Sequence, residues 1–137
     1  VLLDHYKIGE YVPEIDSTVE NELLKIHKSY FPLIDEILKN KWLKSISHIT
    51  GGGIVENTLR VVDDGYDINI NWNTWEMNNI FQLIMKKGNV PIADMRRTFN
   101  LGIGLILIIN KNHLDDLKSH LNMFNEECIV IGDVIKK

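Results

Sequence analysis

Thiols are almost absent: Cys128 is the only cysteine among 137 residues. It can form no internal disulfide and cannot by itself build a structural zinc site, so a reducing, cytoplasmic setting is the simplest expectation. Surplus positive charge is missing too. Fifteen Lys and Arg against 19 Asp and Glu leave a net charge of −4. With no basic run to offset that average, general attraction to nucleic acid or anionic lipid is excluded. Long apolar runs are lacking as well. The longest, Leu101 to Ile109, falls far short of the roughly 18 residues that cross a bilayer. Any anion site must therefore be local.

What is present is a domain's worth of ordinary globular sequence. Hydrophobic residues make up 45% and charged residues 25%, which argues against disorder, and the length suffices for one core without staples. The most informative stretch is Ser47-His48-Ile49-Thr50-Gly51-Gly52-Gly53-Ile54-Val55-Glu56-Asn57. Residues 45–49 alternate polar and apolar as a half-buried strand does, and Ile54, Val55, Leu59 and Val62 recur at helical spacing. A strand would thus enter a helix through three residues without a Cβ. Such a turn leaves amide N–H groups uncovered and admits an anion close to the backbone, making a phosphate cradle. Glycine also serves wherever a tight turn needs positive φ, and neither the Walker nor the dinucleotide fingerprint is present. His48 ends the strand as a structural residue or a proton carrier, and Thr50 either caps the turn or contacts a ligand.

Elsewhere the chain reads as scaffold. Residues 4–16 lack any sustained period and form a connector. Ser17 with Glu20 suggests a capping box, and Pro32 opens a helix with Leu33, Ile34, Ile37 and Leu38 on its apolar face. Asp63-Asp64-Gly65 predicts a solvated turn in preference to a magnesium site. Residues 66–71 alternate as a strand, and Trp72 and Trp75 belong to the core more readily than to a binding platform. Ile80, Phe81, Ile84 and Met85 mark a helix that ends at Lys86-Lys87 with Gly88 beyond. Residues 91–98 form a short helix started by proline, 101–109 a strand, and Asn112 caps a helix carrying Leu114, Leu117, Leu121 and Phe124. His113 and His120 ride the polar face of that helix, too few for zinc. A strand from Cys128 to Val134 closes the chain, with Cys128 as a small buried hydrophobe.

Taken together, His48 to Gly53, Glu56-Asn57 and Arg60-Val61 resemble the signature of aminoimidazole ribonucleotide (AIR) synthetase, also called phosphoribosylformylglycinamidine cyclo-ligase. Trp75 with Ile80-Phe81, Gly88-Asn89-Val90, Met95 to Gly104 and Ile131 to Val134 follow in the same order. The likeness runs from about Glu22 to the end. Departures are local: Lys28 stands for the arginine of an Arg-x-Tyr element that Tyr30 otherwise matches, Leu59 for a proline, and Asn78 and Asn79 for the prolines before Ile-Phe.

This resemblance implies an α+β fold, a mixed β-sheet flanked by helices in α/β/α layers with partly ferredoxin-like topology. It implies a carboxy-terminal domain over residues 17–137, with residues 1–16 connecting from an amino-terminal ATP-binding domain. ATP and Mg2+ are then expected mainly on that missing domain, with no metal site here. The implied activity is ATP-dependent ring closure of formylglycinamidine ribonucleotide in purine biosynthesis, by a full-length homodimer, with this chain alone inactive. His48 becomes the catalytic candidate. Thr50, Gly51, Gly52, Gly53, Arg97 and Asn100 become the substrate-phosphate candidates, with Lys28, Tyr30 and Asn57 accessory. The competing readings are another enzyme of the superfamily (formylglycinamidine ribonucleotide amidotransferase, thiamine-monophosphate kinase or selenophosphate synthetase) and a non-catalytic interaction module.

Overall fold

A computed structural model describes residues 1–137 as seven short helices and six short strands. In chain order these are α1 (Leu2–His5), β1 (Tyr11–Val12), β2 (Ser17–Thr18), α2 (Val19–Leu23), α3 (Phe31–Ile34), β3 (Leu43–His48) and α4 (Gly53–Leu59). Then come β4 (Tyr66–Ile70), α5 (Asn79–Gly88), α6 (Ile92–Thr98), β5 (Leu105–Ile109), α7 (Leu114–Asn122) and β6 (Gly132–Lys136). The α+β class expected from the sequence is what the chain adopts. Its strands pair as three separate antiparallel ladders, β1 with β2, β3 with β5, and β4 with β6.

The ladder that carries the site is β3–β5. Ser45 opposes Ile108, Ile46 opposes Leu107, Ser47 opposes Ile106 and His48 opposes Leu105. Ile49 N–H extends it by donating to the Gly104 carbonyl at 2.9 Å. Ile49 and Ile54, at the two ends of the glycine turn, are 2% and 0% exposed and meet Ile106 in one apolar cluster with Trp72 and Trp75 around it. Each such burial stabilises the fold by about 1.5–3 kcal/mol, so the turn is clamped by hydrophobic anchors on both sides. A second cluster joins Ile37, Leu117 and Leu121, with Cys128 against it.

Several boundaries differ from the sequence reading. The strand expected from residue 101 begins at Leu105, because Leu101 and Gly102 take positive φ of 52° and 104° in a turn. The closing strand is shifted to Gly132–Lys136, and Val134 and Ile135, at 41% and 46% exposure, are not internal. Thr18, not Ser17, caps α2 by accepting from Asn21 N–H. Asn110 accepts from Asn112 N–H and so takes the capping role expected of Asn112. Gly88 lies inside α5, and Asn89 at φ 47° ends it. His120 is not on a solvated face: its side chain is 10% exposed, and its Nε2 lies 2.8 Å from the Leu33 carbonyl. Residues 1–16 do more than connect. Leu2, Val12 and Ile15 pack with Val19, Ile80 and Leu83 into the third apolar cluster, against α5.

Candidate active site at the glycine turn

The three glycines of the turn answer to three different demands. Gly52 and Gly53 adopt φ of 101° and 69°, where a Cβ is strained. A Cβ on Gly53 would also overlap the Arg96 carbonyl oxygen, so α6 leans its last turn directly on the start of α4. A Cβ on Gly52 would crowd the Glu56 carboxylate at 2.8 Å and touch the Asn57 amide nitrogen at an ordinary 3.5 Å. Gly51 has ordinary φ, is exposed, and would place its Cβ in open space. Packing and conformation thus explain Gly52 and Gly53 but leave Gly51 free for a ligand to approach.

One side chain holds this turn in shape. Asn57, only 6% exposed, donates through Nδ2 to the carbonyls of Gly53 at 2.8 Å and Gly51 at 3.2 Å. Its Oδ1 accepts from the Thr50 hydroxyl at 3.4 Å. The carboxamide thereby occupies the carbonyls and leaves the amides alone: Gly51 and Gly52 N–H find no protein acceptor. These outward donors suit an anion. Glu56 works against one at this place, but its carboxylate is bound to Arg60 at 2.5 Å, which offsets its charge.

The other expected residues fall into two groups. His48 is exposed at the end of β3, and Tyr30 stands beside it with ring centroids 6.1 Å apart. Arg97 is exposed without an ion-pair partner, and its backbone lies against Gly53, which brings it to the turn. Asn100 is committed elsewhere. Its Oδ1 accepts from Gly102 N–H at 3.0 Å and forms the bend before β5. Lys28 is likewise engaged, in an ion pair with Glu126.

Sequence reasoning missed His27, whose ring meets that of His48 at 5.2 Å. Its only signal was its place beside Lys28 and Tyr30. Trp72 and Trp75 are structural, as expected: Arg96 stacks 4.3 Å over Trp72, and Trp75 Nε1 donates to the Leu101 carbonyl at 3.0 Å. Cys128 has its thiol pushed up by burial, against a smaller opposing pull from Lys118, as suits an inert packed residue. Beyond Tyr30, a mostly apolar cavity of about 630 Å³ opens between β5, α7 and residues 126–134.

The comparisons with known proteins bear on the whole of this arrangement. Residues 7–137 match the family model described as AIR synthase related protein, C-terminal domain. A phosphoribosylformylglycinamidine cyclo-ligase from Pseudothermotoga lettingae is 35% identical over 135 residues, 98% of this chain and 40% of that protein. One from Carboxydothermus hydrogenoformans is 38% identical over 130 residues, 95% of this chain and 38% of its own length. One from Desulfotalea psychrophila is 32% identical over 132 residues, 96% and 37% of the two chains. The chain spans about two fifths of the length of these relatives. The match covers every element from β1 to β6, the glycine turn included, and the chain therefore belongs to the AIR synthase related C-terminal domain family.

Proposed function

We infer that the chain is the carboxy-terminal part of a phosphoribosylformylglycinamidine cyclo-ligase. In that reaction ATP activates the formyl oxygen of formylglycinamidine ribonucleotide, and ring-nitrogen attack with loss of phosphate closes the aminoimidazole. The observation that carries the assignment of this chain to the substrate side is Gly51. It is the one glycine of the turn that neither packing nor φ requires, and it sits beside the free amides of Gly51 and Gly52. A substrate phosphate resting there is held by backbone donors; the Thr50 hydroxyl, whose hydrogen goes to Asn57, steadies the turn, and Arg97, whose backbone lies against Gly53, is the cationic candidate beside it. Gly53 and Asn57 act by keeping the turn in shape, and Asn100 by shaping the loop that follows Arg97.

His48 occupies the strand end next to this cradle, where its imidazole orients the substrate or passes a proton to or from it. Tyr30 supports it from the opposite segment, and Lys28 acts by tying that segment to Glu126. No three His, Cys, Asp or Glu side chains converge in this chain. ATP and its metal are assigned to the part of the enzyme outside this chain. That part also has a surface to cover: Leu24 and Ile26, on the segment that leads to Tyr30, are 78% and 97% exposed. The full-length enzyme, read as a cytoplasmic homodimer, thus closes a cleft of which this chain is one wall.

The test is turnover of formylglycinamidine ribonucleotide with ATP by the full-length protein, with and without Gly51→Val. The substitution should raise KM by at least about tenfold, the loss of roughly one charge-assisted hydrogen bond. An unchanged KM would remove the cradle, and an absence of aminoimidazole ribonucleotide in the wild-type reaction would remove the cyclo-ligase reading.

A further inference from the structure

Three rings from two distant parts of the chain meet at the end of β3, the strand that leads into the glycine turn. The imidazole of His27 lies edge-on to that of His48, with centroids 5.2 Å apart and planes at 89°. Tyr30 completes the group, 5.8 Å from His27 and 6.1 Å from His48. Residues 27–30 are fixed from both sides. Lys28 is tied to Glu126 across most of the sequence, and the Tyr30 hydroxyl fills the space where any residue but glycine at 104 would carry its Cβ.

The hydrogen bond made by His27 decides what its ring can offer. Nδ1 lies 2.8 Å from the Lys28 carbonyl oxygen. A carbonyl only accepts, so Nδ1 carries the proton, and the neutral ring keeps its lone pair on Nε2. No protein donor reaches that nitrogen, and the residue is exposed. The backbone thus presents a hydrogen-bond acceptor in a fixed tautomer, in ring contact with His48 at the end of the strand that leads into the glycine turn.

We propose that His27 is a specificity-determining residue of this site: its Nε2 accepts a hydrogen bond from a ligand whose phosphate rests on Gly51 and Gly52. The inference rests on the phosphate reading given above and names the rest of the ligand. It is a phosphorylated molecule bearing an amide, amidine or hydroxyl hydrogen. A ligand presenting a carbonyl or ether oxygen at the same place sets two lone pairs against each other and is rejected, as sites built to receive a donor reject analogues that lack one.

The experiment uses the full-length enzyme and steady-state turnover of formylglycinamidine ribonucleotide. His27→Phe keeps a flat ring against His48 and removes the acceptor, whereas His27→Gln restores a side-chain oxygen. His27→Phe should raise KM about tenfold with kcat within about twofold, and His27→Gln should recover most of that loss. Sulfate, which has no hydrogen to donate, should inhibit wild type and His27→Phe equally. An unchanged KM in His27→Phe, a loss that His27→Gln does not recover, or a sulfate inhibition weakened in step with KM would each overturn the proposal. Gly51→Val tells this failure from that of the underlying reading. If it leaves both KM and sulfate inhibition intact, the phosphate cradle itself is wrong; if it weakens both while His27→Phe changes neither, only the role of His27 falls.

Discussion

Substituting the glycines of the turn one at a time should separate its packing from its ligand approach. Gly53→Ala forces a Cβ into the Arg96 carbonyl at a φ of +69°. The left-handed backbone costs a residue with a Cβ about 1–2 kcal/mol, and moving the end of α6 aside adds about 1–3 kcal/mol, the usual range for overpacking. The combined loss of about 2–5 kcal/mol is a large part of the roughly 5–15 kcal/mol that holds a domain together. At this chain length it lowers Tm by about 3–4 °C per kcal/mol. Gly52→Ala, at φ +101°, crowds the flexible Glu56 carboxylate at 2.8 Å and touches the Asn57 amide nitrogen at an ordinary 3.5 Å, so the conformational cost of about 1–2 kcal/mol dominates. A Cβ at Gly51 meets nothing within 4 Å, and Gly51→Val should leave stability within about 0.5 kcal/mol. Urea unfolding followed by circular dichroism gives the order directly, with Gly53→Ala least stable and Gly51→Val indistinguishable from wild type. A Gly53→Ala protein as stable as wild type would refute the close approach of α6, and a markedly weakened Gly51→Val would refute the open space in front of Gly51.

Asn57→Ala removes the donor shared by the Gly51 and Gly53 carbonyls and should cost about 1–3 kcal/mol, with faster amide hydrogen exchange confined to residues 50–54; unchanged exchange there would show the turn holds itself. Gly104→Ala drives a Cβ into the Tyr30 hydroxyl and should destabilise by about 1–3 kcal/mol. Adding Tyr30→Ala should make the pair less harmful than the two single losses together, whereas strict additivity would mean that the two residues do not touch. The Cys128 thiol, pushed up by burial, keeps its proton in the folded state beyond about pH 8.5, where an unfolded thiol releases it. Its contribution is therefore complete below about pH 8.5 and is lost as pH rises through the folded value. Between about pH 8 and about pH 10 the urea midpoint should fall more steeply for wild type than for Cys128→Ala; equal slopes would mean the thiol is as free as in the unfolded chain.

The parts of the fold that the sequence reveals are those with a period to read. The alternation over residues 45–49, the helical spacing from Ile54 onward and the apolar stripes of α5 and α7 each predict the element observed. The glycine turn is legible because three residues without side chains between a strand and a helix allow few other readings. Boundaries fare worse where a side chain settles a contest between neighbouring caps. Thr18 prevails over Ser17, and Asn110 over Asn112, because only one of each pair has its oxygen in reach of the right amide. Residues 101–104 are apolar enough for a strand, yet the Asn100 carboxamide bonds to Gly102 and bends the chain first. His27 was hidden for a different reason. Its importance lies in a contact with a residue 21 positions away, and no local pattern records a pairing across separate segments. The role of Gly51 was half visible, since only the positions of α6 and Glu56 show which of three identical residues has no structural duty.

Asn57 has a consequence for timing. Because its carboxamide reaches back from the body of α4 to both ends of the turn, the loop cannot take its shape until the helix has formed, and cannot lose it while the helix stands. The ordering entropy of the donors is met during folding, so a ligand encounters a rigid receptor and the encounter carries no loop-closing step. Association at this turn should then be limited by diffusion, not by rearrangement of the loop.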